Sequence, residues 1–146
     1  MTSDAAEPLG VLIVGRKRPG FDQDWSRTMI ERGMGALEEM GYRCVSPETP
    51  VADDQAVRLA VEHIRAGGCE AAVVLQPSLG NGQLALTVAQ EWARPIVLWA
   101  TPERSVTETV SSCSLVAQHL WGSIFRLAAR PFELVHGDPT DASVSP

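Results

Sequence analysis

Val11-Leu-Ile-Val-Gly15 is a short run with no polar side chain, and the residues that soon follow change to a spacing of three and four. A strand that is apolar on both faces is satisfied only inside a sheet covered above and below, and helical crossovers between parallel strands supply that cover. The same switch, from a short apolar run to helical periodicity, recurs about five times along the chain. This alternation narrows the fold to an α/β type with one sheet.

The elements follow in order. Asp22 or Asp24 caps a helix in which Trp25, Met29, Gly33, Leu37 and Met40 recur at nearly helical spacing, and Gly41 closes it. Tyr42 to Val45 predicts a second strand whose Arg43 must reach water, which puts that strand at a sheet edge. Pro47 and Pro50 mark a loop; Asp53 or Asp54 caps the next helix, with the stripe Val57, Ala60, Val61 and Ile64, ended by Gly67-Gly68. Ala71 to Leu75 reads as the third strand, Gly80-Asn81-Gly82 as a tight turn, and Leu84, Ala85, Val88, Ala89 and Trp92 as the following helix face, stopped by Pro95. Ile96 to Ala100 is the fourth strand. The polar run from Thr101 to Ser112 exceeds a minimal turn, and loops of that kind often meet ligands or partners. A helix from about Ser112 to Ala129, with Leu115, Val116, Leu120, Ile124 and Leu127 turned inward, leads to a fifth strand, Phe132 to Val135.

Right-handed crossovers on such strands predict a three-layer αβα sandwich around a five-stranded parallel sheet of flavodoxin-like order 2-1-3-4-5. At 146 residues the chain fits one domain, expected over residues 9–138, with a flexible segment at 1–8 and a polar tail at 139–146. The net charge of -6 leaves no general basic surface for nucleic acid. Residues 1–8 lack the basic and apolar regions of a leader, and no apolar run approaches the ~20 residues that span a bilayer, so the expectation is a cytoplasmic chain without membrane contact. Cys44, Cys69 and Cys113 are odd in number and far apart, without zinc spacing, and read as reduced, mostly buried thiols.

In such a sheet the ligand crevice lies beyond the carboxyl ends of the strands, near the switch between the first and third. Three turns converge there: Arg16 to Gly20, Gln76 to Gly82, and Thr101 to Ser105. Arg16-Lys17-Arg18 makes a cationic corner, while Gln76, Ser78 and Asn81 carry donors and acceptors suited to hydroxyls. Glu103 reads as a cap or ion-pair partner near a helix start. With His136 and Asp138 it could in principle form a metal set, but no ligand motif surrounds them. His63 falls on a polar helix face and His119 beside Leu120 reads as packed; Trp25, Trp92, Trp99 and Trp121, at helix and strand positions, read as packing residues. The Ser/Thr run from Ser105 to Ser114 has no nucleophile elbow or partnered base, and the first turn lacks G-x-G-x-x-G. Basic residues after the first strand, with Gln76-Pro77 after the third, argue against a phosphoacceptor receiver.

Val14-Gly-Arg-Lys-Arg-Pro-Gly20, Leu75-Gln-Pro-Ser-Leu-Gly-Asn-Gly82, Pro95-Ile-Val-Leu-Trp-Ala-Thr-Pro-Glu103, and the Cys113 to Trp121 helix leading to Glu133-Leu-Val-His-Gly-Asp138 occur in that order. Together they resemble the N-terminal domain of L-fucose and L-arabinose isomerase-like proteins over nearly the whole chain. The resemblance implies a longer enzyme that interconverts aldoses and ketoses at a manganese site through an enediol. Its metal ligands and proton-moving carboxylate belong to later domains, so this chain would hold no catalytic or metal-binding residue and would not turn over sugar alone. It further implies an aldose or ketose as ligand, with downstream isomerase domains and neighbouring subunits as partners. Carried over by position, Arg16 is the first substrate-contacting candidate and Arg18 the second, and a domain cut from such an assembly would expose apolar surface and self-associate. The residues also admit a free-standing flavodoxin-like module that binds a small sugar or anion.

Overall fold

The computed structural model describes residues 5–16, 21–104 and 110–141. Nine elements alternate among the described residues: β1 (Glu7–Ile13), α1 (Gln23–Glu39), β2 (Tyr42–Val45), α2 (Asp54–Ala66), β3 (Ala72–Gln76), α3 (Gln83–Glu91), β4 (Ile96–Ala100), α4 (Ser114–Leu127) and β5 (Glu133–His136). All strand pairs are parallel and the order is β2-β1-β3-β4-β5, the expected topology. Asp22 caps α1 by accepting from the Trp25 amide at 2.9 Å, and Asp53 caps α2 by accepting from the Ala56 amide at 2.8 Å.

Alternation along the strands sorts the core into two halves. Leu12, Val14, Ala72, Val74, Ile96 and Leu98 face α2, α3 and α4, whereas Leu9, Val11, Ile13, Val73, Leu75 and Trp99 face α1. Among the described residues, three helices therefore cover one face and α1 the other. Close approach decides two glycines: a Cβ at Gly10 would collide with Ile64 of α2, and one at Gly80 with the Val14 side chain. The second of these lets the turn after β3 lie directly on the end of β1.

The first strand starts earlier than its apolar run suggests, because Glu7 and Pro8 already pair with Tyr42 and Arg43 of the edge strand. Beyond Ile13 the chain continues through a single bridge from Val14 to Val51. At the other end the chain turns back after β5: Gly137 donates to the Ala100 carbonyl at 3.0 Å, Asp138 pairs with Arg32 of α1 at 2.9 Å, and Pro139, the first residue of the expected tail, is buried. All three cysteines are free; Cys69 is buried and Cys44 and Cys113 are half-buried. Among the described residues no helix is long and apolar enough to cross a membrane.

The inward face of α4 departs from the sequence expectation. Ala117, Gln118, Trp121, Gly122 and Phe125 are buried, while Leu115, Val116, Leu120 and Leu127 are exposed and Ile124 is only partly covered. Two forces turn the helix this way. Trp121 and Phe125 bury more apolar area than the leucines, and the Gln118 amide donates to the carbonyls of Leu98 at 2.9 Å and Val135 at 2.7 Å, tying the helix to two strands. His119 moves outward with the leucines and is exposed, contrary to its expected packing. Phe125 is 1% and Leu127 89% exposed, so the two positions should respond oppositely to substitution. Phe125→Ala should cost ~3–5 kcal/mol in urea unfolding and Leu127→Lys no more than ~0.5 kcal/mol; the reverse ranking would restore the leucine face to the core.

Candidate functional site

Beyond the carboxyl ends of β1, β3 and β4, polar turns meet over an apolar sheet. The Gly15 amide donates to the Val51 carbonyl and the Val51 amide to the Ile13 carbonyl, each at 2.8 Å. These bonds draw the segment before α2 alongside the end of β1 and set Asp53 and Asp54 beside Arg16. The result is a cleft of about 380 Å³ bordered by Gly15, Arg16, Asp53, Asp54, Asn81 and Gln83. On the other side of Arg16 a second cleft, of about 440 Å³, is bordered by Phe21, Ser26, Arg27, Pro77 and Ser78.

Arg16 thus stands between two concavities, with its guanidinium carbon 5.0 Å from the centre of the Phe21 ring. A cation held over an aromatic face keeps its N–H groups free at the edges while losing some of its torsional freedom. Asn81 accepts from the Gln83 amide at 3.0 Å, which fixes the turn leading into α3 and leaves its NH2 group for another acceptor. Asp54 accepts from Thr87 Oγ1 at 2.6 Å and Gln83 Nε2 at 3.1 Å, so its carboxylate is held at the rim of the first cleft.

Of the residues singled out by sequence, Arg16, Ser78 and Asn81 come together at the clefts, and Arg18 lies outside the described residues. Gln76 does not reach a cleft. Its side chain is fully buried with neither amide atom hydrogen-bonded, and its backbone carbonyl accepts from Ser114 Oγ. The reason is strand alternation: β3 continues one residue further than expected, so Gln76 takes its turn pointing at the helix layer instead of opening the loop. Sequence reading missed Asp53 and Asp54 as site residues. Their signal was present in Val51, an apolar residue lodged between Pro50 and the acidic pair, but its bridge to Val14 depends on tertiary pairing.

A carboxylate joins the loops. Glu103 accepts from the Ser111 amide at 2.7 Å and hydroxyl at 2.6 Å, the Ser112 amide at 3.0 Å and hydroxyl at 2.9 Å, and the Cys113 amide at 2.6 Å. It serves as the cap at the entry to α4, where Cys113 is held in a left-handed conformation at φ 52°. Partial burial would push its carboxyl upward, but the hydroxyls and amides of Ser111 and Ser112 outweigh that and lower it from 4.5 to about 2. Asp22 is lowered as well, first by the Trp25 amide and then by Arg104, whose guanidinium lies 3.0 Å away.

The donor set for a manganese ion does not fit these residues. Among the described residues no group of three or more His, Cys, Asp or Glu could hold a metal. The carboxylate of Glu103 is taken up by five donors, Asp138 by Arg32 and Thr140, and His136 is exposed.

The depressed Glu103 pKa fixes the sign of a pH effect. A carboxyl more acidic in the folded than in the unfolded chain stabilises above the unfolded value and loses that contribution as pH falls through the folded one. Glu103→Gln should melt a few degrees below the parent at pH 7, and the gap should close between pH 4.5 and about 2 in a thermal series. A gap that persists unchanged at pH 2 would mean that the charge of Glu103 is not what holds the loop.

The sequence profile of the fucose/sulfoquinovose isomerase N-terminal domain matches residues 10–113. The matched span runs from within β1 to the residue before α4, and takes in Arg16, Ser78, Asn81 and the whole Glu103 cap. The similarity noted for the last helix and Glu133 to Asp138 lies beyond it. No curated protein matches the chain. Since the match covers more than half of the sequence, the chain belongs to the fucose/sulfoquinovose isomerase N-terminal domain family.

Proposed function

We propose that this domain supplies substrate-facing walls of a sugar isomerase and leaves the proton transfer to other parts of the enzyme. The observation that carries this reading is the meeting of Arg16, Ser78 and Asn81 at the carboxyl end of the sheet, in a chain of a sugar-isomerase family. A sugar presents hydroxyls that both donate and accept. Arg16 offers donors only, the Asp54 carboxylate offers acceptors, and Ser78 and Asn81 offer both, so the rim can orient a polyol without carrying out chemistry on it. Phe21 beneath Arg16 lowers the ordering cost of that contact.

The domain's role is then to bind and orient. The apolar outer face of α4, which carries no Asp or Glu, is its surface for subunit contact. The runner-up, a free-standing binding module, draws support from one fact: residues of this chain alone wall both clefts.

Calorimetric titration of the complete protein with L-fucose and with sulfoquinovose tests the leading reading. Arg16→Ala should weaken binding ~10-fold, about 1.4 kcal/mol, at unchanged melting temperature, and unchanged affinity for both sugars would remove Arg16 from the site. The 146-residue chain incubated with manganese and a panel of aldoses should give no turnover, and steady isomerisation would contradict the division of labour. Sugar binding by the isolated chain as tight as by the complete protein would favour the module.

A further inference from the structure

We propose that Glu103 is the positioning residue of the Arg16 clefts, acting through the Ser111-Ser112 backbone on both the start of α1 and the turn after β3. The carboxylate touches neither cleft. Among the described residues its partners lie in one three-residue stretch, so it closes the neck of the loop that leaves β4 and returns at α4. With both oxygens engaged, the backbone of Ser111 and Ser112 has one orientation. The carbonyls of those two residues then point away from Glu103 toward the other turns.

That outward side is what reaches the site. The Ser111 carbonyl accepts from the Asp22 amide at 3.0 Å, and the Ser112 carbonyl accepts from the Leu79 amide at 2.8 Å. Asp22 follows Phe21, on whose ring Arg16 rests, and Leu79 stands between the cleft residues Ser78 and Gly80. Ser111 Oγ, which donates to Glu103, also accepts from the Arg104 amide at 2.8 Å, and Arg104 pairs with the Asp22 carboxylate at 3.0 Å. One side chain therefore sits at the branch point of two paths, each ending at a cleft wall. Without it, three amides and two hydroxyls lose their acceptor, and the left-handed conformation of Cys113, unfavourable for a residue with a Cβ, loses the amide bond that holds it. The Trp25 indole donates to the Pro102 carbonyl at 2.9 Å without passing through Ser111, so α1 keeps its place on the sheet while its first turn loosens.

Backbone amide exchange measured by NMR on the whole chain tests this with Glu103→Ala and the milder Glu103→Gln, which keeps one carbonyl acceptor. Exchange at Ser111, Ser112 and Cys113 should rise, and exchange at Asp22 and Leu79 should rise with it by ~10-fold beyond the smaller common increase that the lower melting temperature brings to Val74 and Leu98. Faster exchange confined to residues 111–113 would overturn the proposal and leave Glu103 as a cap of α4 only. Uniform acceleration that includes Val74 and Leu98 in both variants would overturn it too, because the effect would then be global stability. The link to ligand binding rests on the sugar reading and has its own readout: in the complete protein Glu103→Ala should weaken L-fucose binding as Arg16→Ala does, without facing the cleft. A parent protein that binds neither L-fucose nor sulfoquinovose would sink the sugar reading and leave the exchange result standing.

Discussion

A strand with no polar face has one stable place in a soluble domain, and Val11, Leu12 and Ile13 occupy it, next to the middle of a sheet sealed on both sides. Everything else follows from that burial. Parallel neighbours require crossovers, crossovers require helices, and the turns that enter those helices collect at one end of the sheet. The polar turns that carry Arg16, Ser78 and Asn81 are thereby brought together over the carboxyl ends of β1 and β3. The site is where the fold places its polar connections.

Such a collection of turns has an entropic cost, since each ordered loop residue gives up backbone freedom of about 1–2 kcal/mol. Here the offset is electrostatic and local. The Glu103 carboxylate gathers five donors from Ser111, Ser112 and Cys113, and the ion pair of Arg104 with Asp22 extends the same network to α1. Bonds to an ionised acceptor are about twice as strong as neutral ones, which suits a half-wet loop where apolar packing has little to grip. On the other side of the sheet, the Arg32–Asp138 pair holds the returning chain against α1, which covers that face.

What the sequence made legible, and what it did not, separates along physical lines. The topology, the edge position of β2 and the caps at Asp22 and Asp53 rest on local periodicity and local hydrogen bonding, and they appear as expected. The orientation of α4 depends on what the sheet offers it. Leu115, Val116, Leu120 and Leu127 look like a core stripe until Trp121, Phe125 and the strand-bridging Gln118 compete for the same space. At the site, the convergence of the turns bearing Arg16, Ser78 and Asn81 was readable from topology. Asp53 and Asp54 were not, because a lone Val14–Val51 bridge brings them in. The depth of Gln76 hinged on a one-residue displacement of β3, which ends at Gln76 and not at Leu75.

On the proposed reading, the clefts on either side of Arg16 face the sugar. Chemical-shift mapping of the backbone amides in the isotope-labelled protein, titrated with L-fucose, tests this contact. Saturable shifts are expected at Gly15, Arg16, Ser78 and Asn81, with none at Ala93, Arg94 and Phe132, which border a cavity at the opposite end of the strands. Shifts centred on that opposite end, with the turns around Arg16 silent at saturation, would contradict it.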